Sequence, residues 1–349
     1  ERVVHLWSLD ARGDEAPTPT DAVGPSCASV LHLAQVLGES RAAGATPRVT
    51  IVTRGAQAAG STERVSLAQT PVWGLARTLP LEYPETAWVR IDLDPHGAQA
   101  AIESLWSEIT GPDGEDQIAL RGSERLVARL VEAPRAAGAT RVQLRDEATY
   151  LISGGFGGLG RQLARWLVDH GARHLALLGR RGVPEDARQH VQELEQRGAR
   201  VLPLKADIAD AADAARVFHE LLAFPPLAGV VHAAGILDDG LIGQQTWPRF
   251  AASMAPKADG AWQLHRMTAD LALDFFVMFS SAVSMLGVAG QGNYAAANAF
   301  LDGLAHERQA QGLPALSINW GPLAEAGMPA TLDARSQDRL TRRGWGHLS

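Results

Sequence analysis

The sequence has a single cysteine, Cys27, in 349 residues. One thiol forms no intramolecular disulfide, and no group of Cys and His has the spacing of a zinc site. A stapled or zinc-built fold is therefore excluded, and a reducing, cytoplasmic setting is expected. Long apolar runs are also missing. No stretch approaches the roughly 20 residues a membrane helix needs, and the N-terminus lacks a basic-then-apolar leader pattern. Positive charge is not in excess either: the formal net charge is -7. Neither nucleic acid nor membrane is expected as a partner, although a local basic pocket for a phosphate remains open. An initiator methionine is absent too. The chain opens on the strand-like Arg2-Val3-Val4-His5-Leu6-Trp7 and is expected to be an excised piece of something larger.

What is present points to a compact α/β protein: 46% hydrophobic residues, only 20% charged, and 35 glycines. The length favours two lobes. In the first, a helix-like run from Ser29 to Leu37 and strand-like segments at Val49–Thr53 and Trp88–Leu93 alternate without any glycine fingerprint. The loop-like stretch from Glu132 to Thr140 precedes the boundary. The division expected is residues 1–145, structural, and 146–349, catalytic. The second lobe carries apolar strand candidates at Thr149–Ser153, His174–Gly179, Val201–Leu204, Gly229–His232, Phe275–Phe279 and Ala315–Asn319, separated by helical spans. Apolar runs rather than alternation predict a parallel, doubly wound sheet covered on both faces.

The first of these strands runs into Ser153-Gly154-Gly155-Phe156-Gly157-Gly158-Leu159-Gly160, and a helix follows. Gly155, Gly157 and Gly160 have the GxGxxG spacing, which lets the chain turn tightly, approach a pyrophosphate and pack helix on strand. The helix N-terminus then offers free N–H groups to phosphate. The second strand ends in Gly179-Arg180-Arg181, where an NAD-binding site would carry a carboxylate. A guanidinium there suits a 2′-phosphate, so NADPH is the expected cofactor, with Arg180 the first choice and Arg181 the second. Asp207 and Ile208 follow the third strand, within reach of an adenine. Ala233, Ala234 and Gly235 follow the fourth and are small enough for a ribose to pass; His232 before them is expected to be a packed core residue. Trp73, Trp88, Trp106, Trp166 and Trp262 are expected to be packing aromatics.

Phe279-Ser280-Ser281 closes a strand, and Tyr294 follows thirteen residues after Ser281. Reduction of a carbonyl needs a hydride donor, a hydrogen-bond donor to polarise the oxygen and an acid to protonate it. Ser281 suits the second role and Tyr294 the third. A phenol is too weak an acid for this unless a fixed positive charge lies near, and Lys257 is the candidate. Asn298, four residues after Tyr294, shares its helix face and could hold a water that resupplies the proton. No metal is called for.

Together these residues resemble the ketoreductase domain of modular type I polyketide synthases, a member of the short-chain dehydrogenase/reductase superfamily. The resemblance covers essentially the whole chain. It rests on the glycine turn, Leu178-Gly179-Arg180, Val231-His232-Ala233-Ala234-Gly235, Lys257-Ala258-Asp259-Gly260-Ala261, Phe279-Ser280-Ser281, the run from Asn293 to Asp302, and Asn319-Trp320-Gly321-Pro322. It implies two Rossmann-like lobes, the first truncated and without cofactor, and a lid over about 320–345. Free-standing relatives have lysine where Asn298 stands; in these synthase domains the two exchange places, which makes Lys257 the catalytic lysine. The implied substrate is a 3-oxoacyl thioester on an acyl carrier protein, with neighbouring synthase domains as partners, in antibiotic-type polyketide biosynthesis.

The same resemblance bears on stereochemistry. Leu237-Asp238-Asp239 matches the element of B-type reductases, which give a D-configured hydroxyl, and Leu286 stands where A-type domains have tryptophan. Ala296, where a proline would mark an epimerised substrate, implies B1-like behaviour. Gln291 and Met328 are placed on the substrate side. Three readings compete with this one: a redox-silent scaffold or epimerase, the reductase of an iterative or fatty acid synthase, and a free-standing dehydrogenase.

Overall fold

The computed structural model describes residues 2–11, 16–40, 47–60, 63–97, 99–132 and 143–322. Two compact units emerge, and neither is continuous in sequence. The first comprises Glu1–Thr140, Asp238–Met254 and Val283–Gly312; the second Arg141–Leu237, Ala255–Ala282 and Leu313–Ser349. Among the described residues no helix is long and apolar enough to cross a membrane.

The first unit is built on a five-stranded sheet: β1 (Arg2–His5), β2 (Arg48–Arg54), β3 (Ala87–Leu93), β4 (Gln117–Arg121) and β5 (Glu124–Val127), in that spatial order. Helices α1 (Pro19–Glu39), α2 (Thr70–Glu82) and α3 (Gln99–Thr110) connect the first four strands, which run parallel, and β5 returns antiparallel to β4 through a turn at Gly122, φ 55°. Val49–Thr53 and Trp88–Leu93 are buried without interruption, as a sheet covered on both faces requires. The described strands follow chain order without a reversal, so they make no switch-point crevice of the kind that receives dinucleotides.

The second unit holds β6 (Thr149–Ser153), α4 (Gly158–Asp169), β7 (His174–Gly179), α5 (Glu185–Gln196), β8 (Arg200–Lys205), α6 (Ala211–Leu221) and β9 (Leu227–His232). The long helix α7 (Trp247–Thr268), β10 (Phe275–Ser281), α8 (Val283–Leu286), α9 (Gly292–Ala310) and β11 (Leu316–Trp320) follow in the chain. The sheet order is β11-β10-β9-β6-β7-β8, all parallel. Here the order reverses between β6 and β9, which is the two-halved pattern of a dinucleotide-binding sheet, with its crevice beyond the carboxyl ends of those two strands. The two Rossmann-like lobes and parallel sheet expected from the sequence are both present.

Within the first unit α9 packs on α2 with almost no side chain between them. A Cβ at Gly74 of α2 would lie 2.6 Å from the carbonyl carbon of Ala295 and closer still to its oxygen. The N-terminal half of α9 is buried on every side, which its small residues Gly292, Ala295, Ala296, Ala297 and Ala299 permit. Of the five tryptophans singled out in the sequence, Trp73 and Trp88 are buried as expected and Trp262 is half-buried, but Trp106 and Trp166 are exposed. Trp166 is half covered, its ring stacked on that of His170 with centroids 4.1 Å apart.

Because backbone meets backbone at Gly74, a methyl there cannot be absorbed by a rotamer change. Gly74→Ala is expected to destabilise the protein by about 1–3 kcal/mol, the usual cost of overpacking, read as a lower denaturant midpoint. An unchanged midpoint would show that α2 and α9 separate at no cost.

Candidate active site

The turn after β6 explains its own glycines. Gly154 has φ 71°, and a Cβ on it would fall 2.9 Å from the backbone of Ala233 and Ala234 after β9. A Cβ at Gly160 would meet the carbonyl of Gly154 and come 2.8 Å from Gly155 Cα. Gly155 is nearly as tight, 3.0 Å from Ile152 O and Leu177 Cβ, and Gly157 is somewhat less so, 3.3 Å from Gly154 O. Gly157 is the N-cap of α4 and provides no side-chain cap, so the first-turn amides of Gly158, Leu159 and Gly160 are left for an anion. Phe156 does not face outward. Its ring is buried in the core, so tightly against β7 that a Cβ at Gly179 would lie 2.8 Å from it. Any contact of Phe156 with a cofactor is thus by backbone.

Arg180 and Arg181 follow β7 and are exposed, while Arg161, Arg165, Arg197 and Arg216 on the helices of this unit are all paired with carboxylates. Asp207, after β8, accepts the Ala209 N–H at 3.1 Å, and its own N–H donates to Asp213 at 2.7 Å. Ile208 is buried against Gly260 of α7. A backbone cradle that a Cβ would fill, an uncapped helix start and exposed guanidinium groups fit a phosphorylated dinucleotide. Gly235 also lies close to the lysine: a Cβ there would lie 2.9 Å from Cε of Lys257. It makes room for the lysine.

His232 ties this unit's chemistry to its sheet. Its Nε2 lies 3.1 Å from the carbonyl of Lys257, so that nitrogen carries the hydrogen and donates. Nδ1 is then the acceptor for the Ser153 hydroxyl, 2.6 Å away. Burial, helped by the charge of Lys257, brings the imidazole pKa down to about 3. It is a neutral strut joining β6, β9 and α7. Lys257 is itself buried, and Nζ donates to the Phe279 carbonyl at 2.8 Å, which sets the ammonium group beside β10. Ser281 ends β10 half-buried, with Oγ 3.5 Å from Trp320 O.

In the first unit, Tyr294 lies in the first turn of α9. Burial raises its phenol pKa to about 12, against a hydrogen bond from Asn298 that lowers it; Asp239 raises it further. The Asn298 amide also donates to the Tyr294 carbonyl at 2.7 Å, which fixes it on the tyrosine's face of the helix. Asp238 is held by both nitrogens of a fork from Arg249, at 3.0 and 2.5 Å, and this pairing lowers its pKa. Asp239 accepts from Gln291 at 2.9 Å, and Asn293 donates to the Asp238 carbonyl at 2.8 Å. Leu286 is exposed on α8, and Ala296 is buried in α9. Met328 and the expected lid from residue 323 onward lie outside the described residues. No group of three or more His, Cys, Asp or Glu able to hold a metal occurs among the described residues.

Residues 148–325 match the KR domain family model, and residues 1–130 match the Rossmann fold domain of polyketide synthase extender module SpnB. The chain is a polyketide synthase ketoreductase domain. The ketoreductase is 40% identical to polyketide synthase GfsE of Streptomyces halstedii over 98% of its own length and 9% of that protein. It spans 9% of the length of that relative, 4% of polyketide synthase GfsA of the same organism and 16% of NorA of Streptomyces orinoci. A solved A1-type ketoreductase superposes with TM-score 0.88 at 38% identity, covering 99% of this chain and 72% of that one. A solved C2-type ketoreductase from a modular polyketide synthase gives 0.87 at 32%, covering 100% and 74%. As a member of this family the ketoreductase is an NADPH-dependent oxidoreductase acting on a β-keto group.

Two contributors to the ketoreductase site carry no motif. Arg77 of α2 donates to the Ser284 carbonyl at 2.7 Å and so steadies α8, and Glu82 of α2 bonds two loops near Tyr294. Their partners are backbone groups far away in sequence, which leave no signature at either end.

Two outcomes are expected. Gly160→Ala should weaken NADPH binding on the order of tenfold or more by forcing the turn open, measured by cofactor fluorescence; unchanged affinity would remove the turn from the site. For His232 the folded pKa, about 3, lies below the ordinary 6.5. Its contribution to stability is therefore complete above pH 6.5 and is lost as pH falls toward 3, by about 1.4 kcal/mol per pH unit. Acid melts of the ketoreductase should show this slope and those of His232→Gln should not. Parallel acid profiles would mean that the imidazole is not held neutral in the fold.

Proposed function

We propose that the ketoreductase reduces the β-carbonyl of a 3-oxoacyl thioester borne on an acyl carrier protein to a D-configured β-hydroxyl. It would do so in the B1-like manner, without epimerisation, within a polyketide-building synthase in the cytoplasm. The observation that carries the stereochemical part is the arrangement around Asp238 and Asp239. The Leu237-Asp238-Asp239 element is tethered through Gln291 and Asn293 to the turn that leads into Tyr294, and Leu286 stands where an A-type tryptophan would be. The A1- and C2-type neighbours share this fold, so the type is carried by such local residues rather than by the architecture.

NADPH, when bound, supplies the hydride. The residues suited to hold it are the turn Gly154–Gly160, with Arg180 and Arg181 toward a 2′-phosphate, Asp207 and Ile208 toward the adenine, and Ala233–Gly235 beside the ribose. Ser281 donates to the carbonyl oxygen and polarises it. Tyr294 is protonated at neutral pH and donates its proton to the same oxygen. Lys257 is the group suited to supply a positive charge that favours the phenolate. Asn298 takes part in the proton's resupply. Leu237, Leu286, Ala296 and Met328 bear on which way the acyl arm enters.

The test is incubation with NADPH and a racemic 2-methyl-3-oxoacyl thioester, followed by chiral resolution of the four products. D-hydroxyl products are expected, and an L-hydroxyl would overturn the stereochemical reading. Tyr294→Phe should lower kcat by at least about 100-fold while NADPH affinity is retained. No loss would overturn the tyrosine's role, and failure of the unaltered ketoreductase to turn over any thioester would favour a redox-silent scaffold.

A further inference from the structure

Glu82 is the last residue of α2, in the part of the chain to which the sequence assigns no chemistry. One carboxylate oxygen accepts the N–H of Ile242 at 2.6 Å and the other accepts the N–H of Gly290 at 2.8 Å. Ile242 ends the loop that starts at Leu237; Gly290, at φ 85°, lies four residues before Tyr294. These two loops also bond each other. Gly240 N–H donates to the Gly290 carbonyl at 2.8 Å, Gln291 to Asp239 at 2.9 Å, and Asn293 to the Asp238 carbonyl at 2.8 Å. The far side of the first loop is held by Gln35 of α1, which donates to the carbonyls of Ile242 and Gln245 at 2.9 and 2.8 Å.

The residue type is informative. Two diverging N–H donors need two acceptor atoms in a fork. A glutamine would turn an N–H toward one of them, and an aspartate would fall a methylene short. Helix stability does not account for Glu82, because a carboxylate in the last turn of a helix opposes the macrodipole and is disfavoured there. Its position makes sense through what lies beyond the helix.

We propose that Glu82 is a positioning residue for stereocontrol. It clamps the Asp238–Asp239 loop to the turn that enters Tyr294, so that the loop guiding the acyl arm and the phenol donating the proton keep one spacing. Released, the loop shifts against the tyrosine, the arm enters in more than one way, and the two carbonyl faces are less well distinguished. The inference rests on the proposed D-selective reduction of a carrier-type thioester. It adds a group that touches neither substrate nor cofactor.

The experiment compares Glu82→Gln with the unaltered chain, using NADPH and the racemic 2-methyl-3-oxoacyl thioester. The share of the minor diastereomers is expected to rise about tenfold, the change expected when a bond to a charged group is lost. KM for the thioester is expected to rise with it, and KM for NADPH to stay the same. A lower Tm with an unchanged product ratio would show that Glu82 only stabilises the fold, and would overturn the proposal. Amide hydrogen exchange on the unaltered chain gives a readout that does not depend on the variant folding. Slow exchange at Ile242 and Gly290 is expected, and exchange at the rate of free loop amides would overturn the clamp. An L-hydroxyl from the unaltered chain would defeat the stereochemical reading of the parent reaction. The clamp would then still be judged by whether Glu82→Gln alters the ratio.

Discussion

The approach of α2 to α9 at Gly74 and Ala295 is the constraint on which the first unit depends. With no side chain between the two backbones, α9 can be buried on every side for its first three turns, and Tyr294 sits in that stretch. The depth raises the phenol pKa to about 12, so the phenol keeps its proton at neutral pH. Spacing along α2 then sets the rest. Gly74 meets α9, Arg77 reaches the Ser284 carbonyl on α8, and Glu82 reaches Gly290 and Ile242. One helix thus fixes the tyrosine's helix, the segment carrying Leu286 and the loop carrying Asp238 and Asp239.

The second unit solves a different problem with the same economy of side chains. Reversal of strand order between β6 and β9 brings the glycine turn and the Ala233-Ala234 backbone to within a methyl's width of each other, and Gly154 is the residue that makes this possible. His232 converts the sheet's register into a lysine position. Ser153 and His232 are paired across β6 and β9, and the imidazole's second nitrogen reaches the carbonyl of Lys257. An imidazole this deep is useful because it is not a base. Held neutral, it has one donor and one acceptor with fixed directions.

Most of the fold was legible because it is encoded locally, and the proposed site residues were read from equally local patterns. The apolar strand runs, the glycine turn between strand and helix, and the Tyr294–Asn298 interval each lie within a few residues, and the order of Lys257, Ser281 and Tyr294 does the rest. What could not be read depends on groups with no side-chain signature. Glu82 bonds amides 160 and 208 residues away, and any sequence has amides. Gly235 was legible as small, but its closeness to the lysine stem was not, since that stem comes from another element. Trp106 and Trp166 illustrate the converse: large apolar residues were expected inside, yet both face outward.

The interleaving of the two units bears on how such a chain can be inherited or rebuilt. The boundary expected from the sequence at residue 145 looks like the natural place to cut, yet residues 238–254 and 283–312 belong with the unit that precedes it. A graft that took only the later portion would carry Tyr294 without the helix that seats it, and Ala295 would face a stranger in place of Gly74. The smallest transferable cassette is therefore the whole span from β1 to β11. The contacts of 74, 77 and 82 with residues two hundred positions downstream are to backbone, so what must be kept together is the helix α2 and the path of the chain it meets.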